Sequence, residues 1–229
     1  MILTIDIGNS ATKIGVFDNE KLVNRLTIPT IRGKSGDDIY DLIQDELKFQ
    51  ISDIIIASVV PELNDSFKNF GEQHFDRTPL FVENTFDFGF SINYNPPDTV
   101  GADRLVAAFA AVEKYGCPII VCDFGTATNI EVVNSKNEYL GGIITPGINT
   151  LSEALFIKTS KLPRVEIRKP DKAIGNSTIN SIQSGIFYGY IGLTEGILKR
   201  IINELGEKPK IIATGGFANL IAENCDLIE

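Results

Sequence analysis

The sequence predicts an α/β protein built from two similar lobes. The first observation is an internal repeat. Residues 2–17 (ILTIDIGNSATKIGVF) and 119–133 (IIVCDFGTATNIEVV) both run from an apolar segment through an acid and a glycine to small hydroxyl residues. The second is the periodicity of the first half, which reads as three strands, a helix, a strand, a helix and a strand. We place the lobes at residues 1–100 and 101–229.

The repeat predicts two β-hairpins whose tight bends carry the acid and the hydroxyls. Asp6 precedes Gly8 in the first copy, and Asp123 precedes Gly125 in the second. A glycine-rich bend lets backbone N–H groups approach an anion, and a nearby carboxylate then makes sense if a cation lies between them. The alternative for either copy alone is an ordinary turn, because Asp and Gly are common turn residues. Allowing one gap, the aligned residues are Ser10, Ala11 and Thr12 opposite Thr126, Ala127 and Thr128.

The rest of the first half continues the alternation of strands and helices. A Gly- and Pro-rich break over 29–36 separates the hairpin region from the next helix. The segments predicted are a strand over 21–28, a helix over 37–49, a buried strand over 53–60, a helix opened by Pro61, and a short strand over 79–84.

The second half begins with an aromatic loop and a strongly periodic helix. Residues 86–97 lack regular periodicity and include Tyr94, so we interpret them as a loop that lines a site. A helix follows, ends at Gly116, and has Asp103 and Arg104 in its first turn, where an acid also simply complements the helix dipole. Beyond the second hairpin we predict a strand and helix over 137–156, an irregular segment over 158–176, a long helix over 178–205, and a strand, Gly-Gly turn and helix over 209–223.

Composition excludes several classes of function. A net charge of −9 argues against binding to nucleic acid or to an anionic membrane. No signal peptide or membrane-length apolar run is visible, so we expect a cytoplasmic protein. The three cysteines form no metal knuckle and are predicted to be buried thiols. His74, the single histidine, is predicted to lie on the surface, which makes histidine-based catalysis improbable.

Five motifs in order make the chain resemble the type III pantothenate kinases, which belong to the acetate kinase, sugar kinase, Hsp70 and actin superfamily. The resemblance covers nearly the whole chain, and GADR between the two acid-glycine motifs selects this family. One departure is Ser10, where the family usually has Thr; another is that the chain stops about 13 residues after TGG, where many relatives continue into a further helix. The motifs are DIGNSATK (6–13), GADR (101–104), DFGTAT (123–128), GGIITPG (141–147) and TGG (214–216).

The resemblance implies an actin-like ATPase fold of two ribonuclease-H-like lobes with the site in the cleft between them. It implies ATP-dependent phosphorylation of pantothenate, the first step toward coenzyme A, by a homodimer. Asp103 would be the general base, and Asp123 would bind a monovalent cation, K⁺ or NH₄⁺. Asp6 would face the Mg²⁺ of MgATP. The residues implied around pantothenate are Tyr94, Gly101, Ala102, Asp103, Arg104 and Thr178. The residues implied around the nucleotide are Asp6, Ile7, Gly8, Asn9, Ser10, Ala11, Thr12, Lys13 and Thr126.

Two other functions stay open from the residues. One is a phosphotransferase or phosphohydrolase of the same superfamily with a different substrate, against which GADR and Tyr94 argue. The other is a nucleotide-binding regulatory protein that keeps the fold without turnover. Retention of three acids, Asp6, Asp103 and Asp123, argues against the second, because a binding module needs no general base.

Overall fold

A computed structural model describes all 229 residues, and the chain folds into two compact units. The first comprises Met1–Asp87 with Pro96–Val106, and the second comprises Phe88–Asn95 with Ala107–Glu229. The chain therefore passes from the first unit to the second at residue 88, returns to the first at residue 96, and enters the second again at residue 107. The division into lobes of residues 1–100 and 101–229 stays a prediction.

The first unit is a five-stranded mixed sheet with helices packed on it. Its strand order is β3-β2-β1-β4-β5. The strands are β1 (Ile2–Ile7), β2 (Ala11–Asp18), β3 (Lys21–Pro29), β4 (Asp53–Ser58) and β5 (Leu80–Phe81), and the helices are α1 (Gly36–Ile43) and α2 (Asn64–Phe75).

The second unit holds another five-stranded mixed sheet, in the order β10-β7-β8-β9-β6. Its strands are β6 (Ser91–Ile92), β7 (Ile119–Phe124), β8 (Ala127–Val133), β9 (Glu138–Pro146) and β10 (Lys210–Thr214). The helices of the second half are α3 (Ala102–Tyr115), α4 (Ile148–Lys158), α5 (Thr178–Leu205) and α6 (Ala218–Ala222).

The two sheets repeat one topology. In the first, β1 and β3 flank β2 in antiparallel pairs, and β1 pairs with β4 in parallel. In the second, β7 and β9 flank β8 in the same way, and β7 pairs with β10 in parallel. The pairing register shifts between Val16 and Phe17 in one copy and between Val132 and Val133 in the other, which are equivalent positions of the repeat. The predicted duplication is therefore confirmed down to a bulge.

The first sheet buries one face under its helices, whereas strand β7 of the second sheet is buried on both faces. Alternate residues of β1, such as Leu3 and Ile5, join a core that includes Phe67 and Phe70 of α2. In the second unit, residues of β7 and β8 pack against α5, where Phe187 and Leu198 are almost fully buried. Full burial of one such side chain stabilises the fold by about 1.5–3 kcal/mol, so the alternation along β1 sets the orientation of the first hairpin.

Most predicted elements are confirmed, and the differences have local causes. The hairpins form, but both acids lie within strands and not in the bends, because Asp6 pairs with Lys13 and Asp123 with Asn129 in the ladders. Helix α1 ends at Ile43 instead of continuing to residue 49, because the next turns use i→i+3 bonds that bury Leu47. The strand predicted over 79–84 shrinks to two residues, and the loop predicted over 86–97 contains the short strand β6.

The single histidine and the three cysteines are all partly or fully buried. The His74 side chain is 20% exposed and thus lies only partly at the predicted surface; its ring stacks on Tyr40 at 4.0 Å and its Nε2 lies 2.9 Å from Asp37 Oδ1. Cys122 and Cys225 are buried, as predicted, and Cys117 is half-buried. Burial raises the pKa of Cys122 to about 12. No helix has the length and the apolar run needed to cross a membrane.

Candidate functional site

The first bend, residues 8–10, joins β1 to β2 and presents polar groups at the end of the sheet where β1 stops. Gly8 N–H donates to the Ala11 carbonyl at 3.1 Å, which closes the bend. Asn9 and Ser10 are exposed. Beside them, Lys13 Nζ lies 3.2 Å from Asp6 Oδ2, and both side chains are about half exposed. The bend therefore offers backbone and side-chain donors, with one cation and one carboxylate, to a ligand in solution.

Thr12 supports this bend from within. Its side chain is buried, and its hydroxyl lies 3.0 Å from the hydroxyl of Thr30. Thr30 in turn donates its hydroxyl to the Gly8 carbonyl at 2.7 Å and its N–H to the Ser10 carbonyl at 3.1 Å. The Thr12 hydroxyl is thus engaged with the protein.

The second bend, residues 125–126, repeats the construction between β7 and β8. Gly125 N–H donates to the Ala127 carbonyl at 3.0 Å, and Thr126 is exposed. The Thr126 carbonyl accepts from Gly147 N–H at 3.0 Å and from the Thr150 hydroxyl at 2.6 Å. The start of α4 is therefore fastened to the bend. Thr128 matches Thr12, being buried with its hydroxyl bonded to that of Tyr190.

Tyr190 links three elements behind the second bend. Its hydroxyl meets Thr128 of β8 and the backbone of Ile148 at the start of α4, while Tyr190 itself lies on α5. Burial raises the pKa of Tyr190, and these hydrogen bonds oppose the shift. The phenol consequently stays protonated at neutral pH and can serve as a fixed donor or acceptor.

Asp123 lies near a glycine that leaves space at its carboxylate. Asp123 is half-buried at the end of β7, next to Thr214 of the parallel strand β10. Gly215 follows with φ of +95°, and a Cβ there would lie 2.5 Å from Asp123 Oδ1. The TGG motif therefore keeps a side-chain-free space at this carboxylate. Gly215 must remain glycine because its φ is positive and because a side chain there would clash with Asp123.

The first turn of α3 carries GADR. The Gly101 carbonyl accepts from Arg104 N–H at 3.1 Å, and Asp103 Oδ1 accepts from the same N–H at 2.8 Å. A Cβ on Gly101 would lie 2.5 Å from Asp103 Oδ1. Ala102 opens the helix, and Arg104 is buried. Glycine at 101 thus gives the Asp103 carboxylate its place over the helix start, in a position where it also complements the helix dipole.

Tyr94 packs on the edge of the second sheet. Gly141 has φ of +89°, and a Cβ there would lie 2.7 Å from Tyr94 Cδ2. The Tyr94 ring lies 6.4 Å from that of Tyr139, whose hydroxyl donates to the buried carboxylate of Glu131. The Phe90 ring also stacks on Tyr139, at a centroid distance of 5.9 Å. An aromatic column anchored by a buried acid therefore fixes the Tyr94 ring.

Thr178 lies at the start of α5. It is exposed at the first position of α5, after the N-cap Ser177, in a surface groove lined by Leu155 and Ile182. None of the other predicted site residues lines that groove. The structure thus brings residues 6–13 together in the first unit and Asp123 with Thr126 in the second.

Sequence reasoning missed Thr30, Glu131 and Tyr139. A signal for Thr30 was present, because β3 and β9 both end on a proline that pairs with the alanine directly after the bend. The two strand ends read TIPT at 27–30 and ITPG at 144–147. Thr30 N–H donates to the Ser10 carbonyl, and Gly147 N–H donates to the equivalent Thr126 carbonyl. Glu131 and Tyr139 gave no signal, because they pair through side chains across a β-bulge.

Solved structures match this fold. The chain superposes on a Baf family transcriptional activator from Campylobacter jejuni with a TM-score of 0.60 and 22% identity, covering 99% of this chain and 89% of that one. A ROK family glucokinase from Streptomyces griseus matches with a TM-score of 0.52 and 12% identity, covering 96% and 86%. The fold is the α/β actin-like ATPase fold, with one ribonuclease-H-like sheet in each unit. Together with the paired glycine bends, these matches place the chain in the actin-like ATPase class of folds.

The sequence comparisons narrow this class to one family. A family model described as Type III pantothenate kinase matches residues 2–200. A type III pantothenate kinase from Geotalea uraniireducens is 45% identical over 235 aligned positions, which cover 100% of this chain and 92% of that protein. The chain belongs to the type III pantothenate kinase family.

Proposed function

We propose that this protein transfers the γ-phosphoryl group of ATP to the terminal hydroxyl of pantothenate, which is the first step toward coenzyme A. The observation that carries the proposal is family membership over most of the chain, combined with two glycine bends at equivalent places of a duplicated sheet. Phosphoryl transfer requires positioning and charge neutralisation more than covalent chemistry, and paired bends with exposed donors suit that requirement.

The first bend is proposed to hold the phosphate chain of ATP. Exposed Asn9 and Ser10 would donate to phosphate oxygens, and Lys13 would exchange its present partner Asp6 for a phosphate. Thr12 would act through the bend, since its hydroxyl is bonded to Thr30. Thr126 of the second bend would contribute from the other sheet. The residues assigned to nucleotide binding remain Asp6, Ile7, Gly8, Asn9, Ser10, Ala11, Thr12, Lys13 and Thr126.

The turn at the start of α3 is proposed to activate pantothenate. Asp103 would accept the proton of the attacking hydroxyl, and its carboxylate is already oriented by Arg104 N–H. Arg104 would recognise the carboxylate of pantothenate, together with the adjacent backbone of Gly101 and Ala102. Tyr94 would form a rigid wall, and Thr178 would add a hydroxyl.

Two cations complete the proposal, and the residues present fit both. No three His, Cys, Asp or Glu side chains cluster as a metal site, so a cation here takes its remaining ligands from phosphates and backbone carbonyls. Mg²⁺ would arrive with ATP and meet the exposed carboxylate of Asp6. Asp123 would hold K⁺ or NH₄⁺ in the space that Gly215 leaves beside Oδ1, which neutralises negative charge near the phosphates.

A homodimer is also proposed, with α4 and α5 as its contact surface. Exposed apolar side chains gather there, including Phe156, Ile157 and Ile179. Gly185 and Gly189 of α5 have no atom within 4 Å of the place a Cβ would take, so a second helix can approach the α5 backbone closely. Burial of apolar area between two copies is the driving force expected for such a surface.

The test of the proposed activity is direct. Purified protein is incubated with ATP, Mg²⁺, K⁺ and either pantothenate or its alcohol analogue pantothenol, and products are measured by mass spectrometry. We expect 4′-phosphopantothenate, and weaker binding of pantothenol by roughly 1.5–3 kcal/mol, because it lacks the carboxylate assigned to Arg104. Absence of a phosphorylated product with pantothenate contradicts the function, and equal affinity for the two alcohols removes Arg104 from the site.

A further inference from the structure

The segment that follows β3 is fastened to the first bend, although the proposed function gives it no role. Thr30 makes three hydrogen bonds there: to the Ser10 carbonyl through its N–H, to the Gly8 carbonyl through its hydroxyl, and to the Thr12 hydroxyl. Two of them hold the backbone of the bend itself. Residues 31 and 32 therefore leave the sheet from a fixed point at the edge of the bend.

Arg32 lies two residues beyond this anchor and faces the bend. Its Nε donates to Glu62 Oε1 at 2.6 Å, and its Nη2 approaches Asn9 Oδ1 at 3.5 Å. Glu62 lies in the short 3₁₀ turn Pro61–Leu63 before α2. A hydrogen bond from its own backbone N–H, and then the one from Arg32, holds the pKa of Glu62 below its usual value, so it is a carboxylate at neutral pH. Glu62 thus orients the guanidinium toward Asn9.

The contact to Asn9 is weak, whereas the contact to Glu62 is short. A guanidinium has five N–H donors in a planar fork. Two are used here, and the Arg32 side chain is 62% exposed. An oriented, half-solvated fork beside exposed Asn9 is the arrangement that binds phosphate oxygens bidentately. It stands out in a chain of net charge −9, where carboxylates outnumber cations.

We propose that Arg32 binds the phosphate chain of ATP at the first bend, with Glu62 and Thr30 as positioning residues. This inference rests on the proposed function, which places ATP at that bend. The guanidinium gives up its long contact to Asn9 and keeps its short bond to Glu62. Asn9 and Arg32 then flank the same phosphate group.

The test measures nucleotide binding by calorimetry without pantothenate. Arg32→Ala should weaken ATP binding by about 10- to 100-fold, the effect of losing a charged hydrogen bond, and should leave adenosine binding within about twofold. Arg32→Lys keeps the charge and loses the fork, so it should fall between Arg32→Ala and the wild type. Arg25→Ala is the matched control, because Arg25 is an exposed arginine on β3 with the same charge.

The positioning role has its own readout. Glu62→Gln should weaken ATP binding several-fold in the wild-type background and should have no further effect when combined with Arg32→Ala. Thr30→Val, which removes the hydroxyl and keeps the shape, should behave in the same direction while Thr30→Ser does not. An effect of Glu62→Gln that simply adds to that of Arg32→Ala shows a structural role for Glu62 and overturns its positioning role.

Failure of this inference is distinct from failure of the proposed function. Wild-type protein that binds ATP and phosphorylates pantothenate, with Arg32→Ala binding ATP as tightly as Arg25→Ala, overturns the assignment of Arg32 alone. Equal losses of ATP and adenosine affinity in Arg32→Ala also overturn it, since the phosphates are then not what Arg32 recognises. Wild-type protein that binds no ATP overturns both.

Discussion

Single atoms decide what the Asp103 carboxylate can do. Its Oδ1 lies over the start of α3, where a Cβ on Gly101 would approach it to 2.5 Å. Asp103→Asn keeps the shape and removes the proton acceptor, so kcat should fall about 10²–10⁴-fold with ATP affinity unchanged. Gly101→Ala should rotate the carboxylate away and lower kcat at least about tenfold without unfolding the chain, because the clashing atom is the far end of a flexible side chain.

The control for both changes is Asp98→Asn, an exposed acid in the turn before α3. Rates are measured at saturating ATP and pantothenate, with thermal unfolding followed in parallel. Turnover of Asp103→Asn within about threefold of the Asp98→Asn control would exclude Asp103 as the base. The residue would then be left with the dipole-complementing role that its bond to Arg104 N–H also supports.

The cation prediction also belongs to one residue. Asp123 is the penultimate residue of a mostly buried strand, and Gly215 leaves a side-chain-free space beside its Oδ1 that a cation would occupy. Activity should be low with Na⁺ alone, rise when K⁺ replaces Na⁺ at fixed ionic strength, and lose that response in Asp123→Ala. Steady-state rates over a K⁺ titration measure it. Wild-type activity that is indifferent to K⁺ would make Asp123 a structural residue of the hairpin end.

Buried thiols should make folding sensitive to alkaline pH. Cys122 ionises near its ordinary value of 9.0 when unfolded and only near 12 when folded, because burial disfavours the thiolate. Stability from this group is therefore full below about pH 9 and lost as pH rises toward 12, by up to about 1.4 kcal/mol per unit. Urea unfolding at pH 8 and 10.5 should show a larger loss in the wild type than in Cys122→Ala. Equal losses would contradict the prediction.

The sequence predicts the parts of the site that are written locally and misses those that depend on distant partners. The two bends could be predicted because acid, glycine and hydroxyls are adjacent in the chain. Arg32 could not, because its orientation comes from Glu62, 30 residues away. The place of the acids inside the strands was also missed, since a strand end and a bend look alike until the pairing register is known.

At the scale of elements, the packing of β9 against the segment around β6 sets the position of the Tyr94 ring. The backbone angle and empty Cβ position of Gly141 let the Tyr94 ring lie against β9. Gly141→Ala should push that ring outward and raise KM for pantothenate about tenfold or more, while KM for ATP changes little. Tyr139→Phe keeps the aromatic column and removes the hydroxyl that donates to the buried Glu131 carboxylate, so it tests the column without a backbone change, and its folding is followed in parallel.

Initial rates against each substrate separate these effects. Gly141→Ala could raise both KM values equally or reduce the amount of folded protein, and its effect on Tyr94 would then be obscured. In that case the Tyr139→Phe variant decides, because it tests the same aromatic column without backbone strain. If neither variant changes KM for pantothenate, Tyr94 does not contact this substrate. Element boundaries here were poorly predicted because β6 has only two residues and exists through its pairing with β9.

At the scale of the whole molecule, α5 is 28 residues long and carries glycines that nothing covers. Gly→Ala in a helix with open space stabilises a single chain by about 0.5–1 kcal/mol, so these glycines weaken the isolated helix. We expect the wild type to run at twice the mass of one chain in light scattering. Gly189→Leu should shift it toward one chain, and Ala110→Leu, on the exposed face of α3, should not.

A wild-type protein that has the mass of a single chain at micromolar concentration contradicts the dimer. So does Gly189→Leu that associates as the wild type does. The sequence alone could show that α5 is long and rich in glycine, but not that its glycines face outward, because that depends on which side of the helix the sheet covers.

The two bends, alike in backbone, obtain positive potential from different sources. At the second bend, Gly147 caps α4 and donates to Thr126, so the aligned peptide dipoles of an 11-residue helix end there. At the first bend the next helix begins only after Ser35, with acids in its first turn, and the cations are the side chains of Lys13 and Arg32. A point mutation can therefore remove a full unit of charge from the first bend. The second bend draws its field from main-chain atoms, so that field survives any substitution that keeps the backbone in place. Gly147 does not tolerate substitution, because a Cβ there would lie 2.2 Å from the Gly125 carbonyl oxygen.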